Sequence, residues 1–317
     1  MDNLVNKKKK KKGKGELGNA MMAVVPLLGF ALFGVVPLVL ATIVSLTELH
    51  STNLSEMEFI GFKNYITILT NGDNRTYASY MSTIVYTIMS VPPSMAISLF
   101  IANLLNKAKK GRRFFSSVMF IPYVCSTVVV GLVFKIFFRE QGGVFNAILS
   151  FLGFEPVGWL TSNATNFMAS TAIMTVWHGL GFAIVLFSAA LGSVNKGYYE
   201  AATIDGATKF QMFWKITWPA ISPTTGYLIT MKLIWGLQAM EQTMILVGAN
   251  QIVPTWFGSD AYVSDLVVKH IYNMAFMSPY QYGYGLAAAA GWILAIIVFI
   301  ITRINMKTQE RWVNYDF

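Results

Sequence analysis

The stretch Lys196-Gly197-Tyr198-Tyr199-Glu200-Ala201-Ala202-Thr203-Ile204-Asp205-Gly206-Ala207-Thr208-Lys209-Phe210-Gln211-Met212-Phe213-Trp214-Lys215-Ile216-Thr217-Trp218-Pro219 decides how the rest of this chain is read. It lies between two long apolar windows, 166–195 and 220–247, and is itself too polar to cross a membrane. Glu200, Ala201 and Ala202 favour a short helix, and Gly206 is a natural place for that helix to end. Phe210, Phe213, Trp214 and Thr217 then recur at three- and four-residue spacing, which predicts a second short amphipathic helix closed by Pro219. A helix-turn-helix carrying aromatic knobs is a shape that inserts into a groove on a partner protein.

Outward from this loop the chain is apolar. Of 317 residues, 55% are hydrophobic and only 12% charged, and the mean hydropathy is +0.52. A soluble domain carries about twice that share of charge, so an ordinary two-domain cytosolic enzyme is excluded. A crossing helix needs about 20 mostly apolar residues. Six windows qualify: 20–47, 79–105, 114–138, 166–195, 220–247 and 284–305. The prediction is an all-α membrane protein with six transmembrane helices spanning 20–305, flanked by a Lys-rich tail at 1–19 and a short C-terminal tail at 306–317. The first window exceeds the apolar run of a cleaved signal peptide and is expected to be retained. Pro26, Pro37, Pro92 and Pro93 inside spans permit bends. The single cysteine, Cys125, excludes an intrachain disulfide and is expected to pack as a small hydrophobe.

The net charge of +9 is local. Lys7 to Lys12, Lys14, Lys107, Lys109, Lys110, Arg112, Arg113, Lys196, Lys209, Lys215, Arg303, Lys307 and Arg311 all flank the spans on one side, whereas Lys63, Arg75, Arg139 and Lys269 flank them on the other. By the positive-inside rule both termini and residues 196–219 are cytoplasmic. The basic start points to anionic lipid at a membrane surface, not to nucleic acid.

The run Glu200-Ala201-Ala202, three residues, Gly206, nine residues, Ile216, one residue, then Trp218-Pro219 resembles the EAA motif of permease subunits in binding-protein-dependent ABC importers. With Asp205 and Ala207 beside the glycine, the segment is similar in particular to the maltose-type, carbohydrate branch, although Trp218 stands where leucine is usual. A weaker resemblance is Phe59-Ile60-Gly61-Phe62-Lys63-Asn64-Tyr65 after the first span. The resemblance implies a type I permease fold whose loop 196–219 is a coupling helix docking into an ATPase subunit, with Glu200 as electrostatic contact, Gly206 as hinge and Ala201 and Ala202 as close-packing surface. It also implies two ATP-binding subunits, a second and different permease, an extracellular solute-binding protein, a sugar cargo and a bacterial cytoplasmic membrane. The chain holds no GxxxxGK[ST] run to cradle a nucleotide phosphate, so ATP and Mg are expected on the partner subunits and no cofactor on this one.

Polar groups inside spans mark pathways or partners. Lys232 and Glu241 are nine residues apart, on opposite faces of one regular helix, while Trp235, Gln238 and Gln242 share a face. An aromatic plane and two amides suit the CH face and hydroxyls of a neutral sugar, and equally suit hydrogen bonds between helices. Glu241 neighbours that face, and Trp177 and His178 in the fourth window are further candidates for the path. No metal-ligand spacing, HExxH or Ser, His and Asp constellation is present. Two rivals remain at this stage, an ion-coupled carrier using Lys232 and Glu241 and a membrane enzyme using His178 or Glu241. Neither accounts for the Glu200 motif.

Overall fold

The computed structural model describes residues 21, 22, 24–70, 74–108, 110–247 and 253–314. The lysine run of the N-terminal tail and the final residues of the C-terminal tail fall outside them. Long helices dominate: α1 (Val24–Ser45), α3 (Asn74–Lys107), α7 (Ala164–Ser193) and α13 (Pro279–Gln309). Between them lie α2 (Lys63–Leu69), α4 (Arg112–Val124), α5 (Thr127–Phe137), α6 (Val144–Phe151), α8 (Lys196–Ile204), α9 (Lys209–Met212), α10 (Trp218–Leu237), α11 (Glu241–Leu246) and α12 (Val267–Tyr272). Two small antiparallel hairpins, Thr47–Glu48 with Glu58–Phe59 and Pro254–Thr255 with Gly258–Tyr262, sit in the connections.

The most extensive pairing joins α3 to α7. A Ser and Thr stripe on α3 makes it possible, because Thr83, Thr87 and Ser90 return their hydroxyls to their own helix four residues back and so bury no unsatisfied donor. Small residues bring backbones together: a Cβ on Gly181 of α7 would collide with the Met119 carbonyl oxygen of α4. Apolar clusters seal the structure on either side of this pair. One gathers Phe134, Phe138, Phe167 and Leu266, and the other Leu105, Ile184, Phe187 and Leu228. The segment that resembles permeases after the first span has a structural task. Its Asn64 is buried and donates to the carbonyls of Ser45 and Thr47, while the Tyr65 hydroxyl meets Ser45, clasping the end of α1.

Two of the six expected spans are not single continuous helices. Among the described residues four helices are long and apolar enough to cross a membrane, and a fifth span arises if α4 and α5 are counted together. Those two replace the continuous helix expected at 114–138 and bend by 95°. Pro122 inside α4 removes one hydrogen bond to the preceding turn, Cys125 is extended, and Ser126 caps the new helix by accepting from the Val128 amide. Cys125 is exposed at this corner and not packed inside. The window 220–247 is likewise interrupted. Helix α10 ends at Leu237 with Gln238 as its cap, and α11 begins at Glu241. Lys232 and Glu241 therefore never share one regular helix, nor do Trp235, Gln238 and Gln242. Pro219 does not close a helix either. It sits at the start of α10, directly after the π-helical turn Phe213–Thr217 that shifts the backbone hydrogen bonding ahead of it. Helix α13 runs to Gln309, past the expected boundary at 305, with a break at Gly283 (φ 81°).

Candidate functional site

Two places concentrate the predicted residues. The first is the loop 196–219. Asn195 opens α8 by accepting the Gly197 amide at 2.9 Å. The helix ends after Ile204 on Gly206, whose φ of +75° only glycine adopts without strain. The Ala207 amide donates to the Ala202 carbonyl, and the Gly206 amide to that of Thr203. This is the paired closure of a Schellman motif, and it explains the spacing from Ala202 to Gly206 as a requirement of the turn. Thr208 and Gln211 then form a reciprocal capping box that starts α9. A π-helical segment, Phe213–Thr217, leads directly into α10. Tyr199 reaches back to Thr217, hydroxyl to hydroxyl at 2.9 Å.

Glu200, Ala201 and Asp205 are exposed, Ala202, Ala207, Ile216 and Pro219 half-buried. Glu200 makes no ion pair among the described residues. Around it Ile204 is 86% and Phe210 73% exposed, a large apolar surface for a polar loop.

The second place is an open cavity of about 270 Å³ lined by residues of α3, α4, α5, α7, α10 and α11. Of the predicted path residues it receives His178, Trp235 and Gln242. Gln238 and Glu241 are exposed at the break and do not line it, and Trp177 packs on Phe134, ring centroids 5.3 Å apart. Lys232, weighed in the sequence only as an ion-coupling group, lines the cavity. Its ammonium donates to Ser94 Oγ at 2.7 Å and to the Gly179 carbonyl at 3.4 Å. Trp235 leans on Phe182, which stacks on Tyr123. His178 Nε2 donates to the Cys125 carbonyl at 3.1 Å and so ties α7 to the corner between α4 and α5. Sequence reasoning missed Tyr86, Ser90, Ser94, Tyr123 and Thr175 on the lining. The Ser and Thr spacing in 79–105 was the available signal for those on α3. The lining is mixed, with hydroxyls, an amide, an ammonium and aromatic planes, and it suits a hydroxyl-rich solute. Among the described residues no group of three metal-ligating side chains occurs.

A family model described as binding-protein-dependent transport system inner membrane component matches residues 94–313. The chain belongs to that family. This permease is 31% identical over 283 residues to the arabinooligosaccharides transport system permease protein AraP of Bacillus subtilis, covering 88% of this chain and 84% of that one. It is 28% identical over 306 residues to the trehalose/maltose transport system permease protein MalF of Thermococcus litoralis, covering 96% and 97%. Its fold superimposes with a TM-score of 0.79 on a chain of a bacterial alginate ABC transporter solved in complex with an alginate pentasaccharide-bound periplasmic protein, at 23% identity and covering 95% and 96%. The permease is thus a transporter component and not an enzyme, and membership sets aside both the ion-coupled carrier and the membrane hydrolase.

Proposed function

We propose that this permease, together with a second and different permease, forms the inward path for a sugar or oligosaccharide that an extracellular binding protein delivers. Two ATP-binding subunits, which carry ATP and Mg, dock on loop 196–219 from the cytoplasm. The distribution of lysine and arginine supports a cytoplasmic placement of both termini. The relatives named for arabinooligosaccharide and trehalose/maltose transport support the cargo class.

The observation that carries the coupling role is the exposed apolar surface of Ile204 and Phe210 around an unpaired Glu200, on a helix whose end is fixed by Gly206. A groove with basic residues at its mouth would bury the first two and pair the third. Helix α10 supplies the lever. It begins at the motif residues Trp218 and Pro219 and ends at Trp235 and Gly236 on the cavity, about 30 Å of rigid helix. When ATP draws two such loops together, α10 moves at the cavity end. The bend at Cys125 and the break after Gln238 are the places where neighbouring segments adjust.

The test is affinity purification in mild detergent, wild type against Glu200→Arg. An ATPase and a second permease are expected with the wild type, and the ATPase is expected to be lost from the variant. Undiminished ATPase with Glu200→Arg would overturn the coupling assignment.

A further inference from the structure

The cavity contains one group that a neutral sugar does not require. Lys232 is 8% exposed, and its ammonium spends two of its three N–H donors on Ser94 and Gly179. Among the described residues no carboxylate lies within 4.0 Å of it; the ion pairs there are His50 and Lys63 with Glu48, and Lys269 with Asp265. A cation at membrane depth is retained where it faces a pathway or an opposite charge. On the same lining Gln242 Oε1 is buried with no donor directed at it. An unpaired donor with positive charge and an unpaired amide acceptor thus face one space, beside the indole of Trp235.

We propose that the cavity selects an anionic saccharide, a sugar bearing a carboxylate, and that Lys232 reads the charge. The carboxylate accepts the third N–H of Lys232, a ring hydroxyl donates to Gln242 Oε1, and the CH face of the ring lies on Trp235. A neutral sugar fills the last two roles and leaves the ammonium without a counter-charge. A dianionic phosphate brings a second charge that the lining does not meet, since the Nε2 of its other nitrogen base, His178, is held by the Cys125 carbonyl. This assignment rests on the carbohydrate reading above and makes it narrower.

The experiment compares ATP-driven uptake of galacturonate, which carries one carboxylate, and of its methyl ester, which removes the charge and keeps the ring and hydroxyls. It uses proteoliposomes holding the whole importer with its binding protein. Wild type is expected to prefer the acid by about tenfold or more, the effect of one charge-assisted hydrogen bond. Per assembled complex, Lys232→Gln is expected to bring the ratio of acid to ester near one, and Gln242→Leu to slow both by the same factor. Uptake of the ester or of neutral maltotriose with the acid refused would overturn the charge selection and leave sugar import standing. An unchanged ratio in Lys232→Gln would move the selection to the binding protein and overturn the role of Lys232. No uptake of any saccharide would overturn both readings. If Lys232→Gln fails to assemble, the wild-type ratio still decides, because a wild type indifferent to the charge overturns the proposal.

Discussion

The loop 196–219 and the cavity differ in how far apart in sequence their parts lie. The hydrogen bonds that set the turns of the loop join residues within its own 24-residue stretch: Ala202 with Ala207, Thr208 with Gln211, Tyr199 with Thr217. The cavity is built from groups as distant as Ser94 and Lys232, which meet only because α3, α7 and α10 pack together. A local device leaves its rule in the spacing of residues. An assembled one leaves only polar residues in apolar windows, with nothing to say which of them meet.

If the two regions do separate tasks, damage to the loop abolishes coupling without altering cargo preference, and damage to the cavity does the reverse. The largest effect is expected from Gly206→Pro, because proline cannot take φ +75° and removes the amide that donates to Thr203. ATP-driven uptake should fall below detection while the variant still inserts. Glu200→Arg should lower uptake roughly 30-fold or more, since breaking an interfacial ion pair costs about 2–5 kcal/mol. Uptake rate and ATPase stimulation by the binding protein, measured together, check both variants. Normal transport in both would place the loop among ordinary surface connectors.

Next in size is Gly181→Ala, which tests the frame that holds the cavity and not its chemistry. The added methyl meets the Met119 backbone, which cannot move aside as a flexible side chain does. Overpacking of about 1–3 kcal/mol should reduce the yield of folded permease and lower its thermal midpoint. An unchanged midpoint would show that α4 and α7 separate more easily than their packing implies.

The same contrast explains what was legible in the sequence. The helical membrane fold and the short helix ending at Gly206 follow from composition and local spacing, whereas the coupling role is what the family resemblance implies. The corner at Cys125 did not, because Pro122 alone permits either a kinked or a continuous span. What decides is the cap supplied by Ser126 and the hold of His178 on the Cys125 carbonyl from another helix. The interruption after Leu237 was hidden for a similar reason: the apolar run continues through residues whose backbone does not. Because that break was not seen, Gln238 and Glu241 were placed beside Trp235 and Gln242, whereas only the latter two reach the cavity.

A cavity variant sharpens the comparison at smaller cost. Gln242→Ala removes one amide from a lining that keeps its hydroxyls and its indole, and Trp235→Ala removes the plane. Each should change the rate or preference of sugar uptake by roughly 5- to 100-fold, the range of one or two lost contacts of about 1–3 kcal/mol in all. The ATPase should still copurify. Unchanged kinetics in both would make these residues interhelical packing.

The smallest effect is expected where the motif departs from its usual form. Trp218, in place of leucine, stacks on Trp312 with centroids 6.0 Å apart and planes at 22°. Nearby, Gln309 donates to the Gly226 carbonyl, and the Asn314 amide to Ser222. The chain beyond α13 is thereby pinned to the start of α10, and the unusual tryptophan has a partner that a leucine would not match. An aromatic pair contributes about 0.5–1.5 kcal/mol beyond its buried area. Trp218→Leu and Trp312→Leu should each lower the thermal midpoint of the assembled importer slightly, and the double variant by less than the sum, because the second change removes an interaction already lost. Strictly additive shifts would mean that the two rings touch without stabilising each other, and Trp218 would then be a plain substitution within the motif.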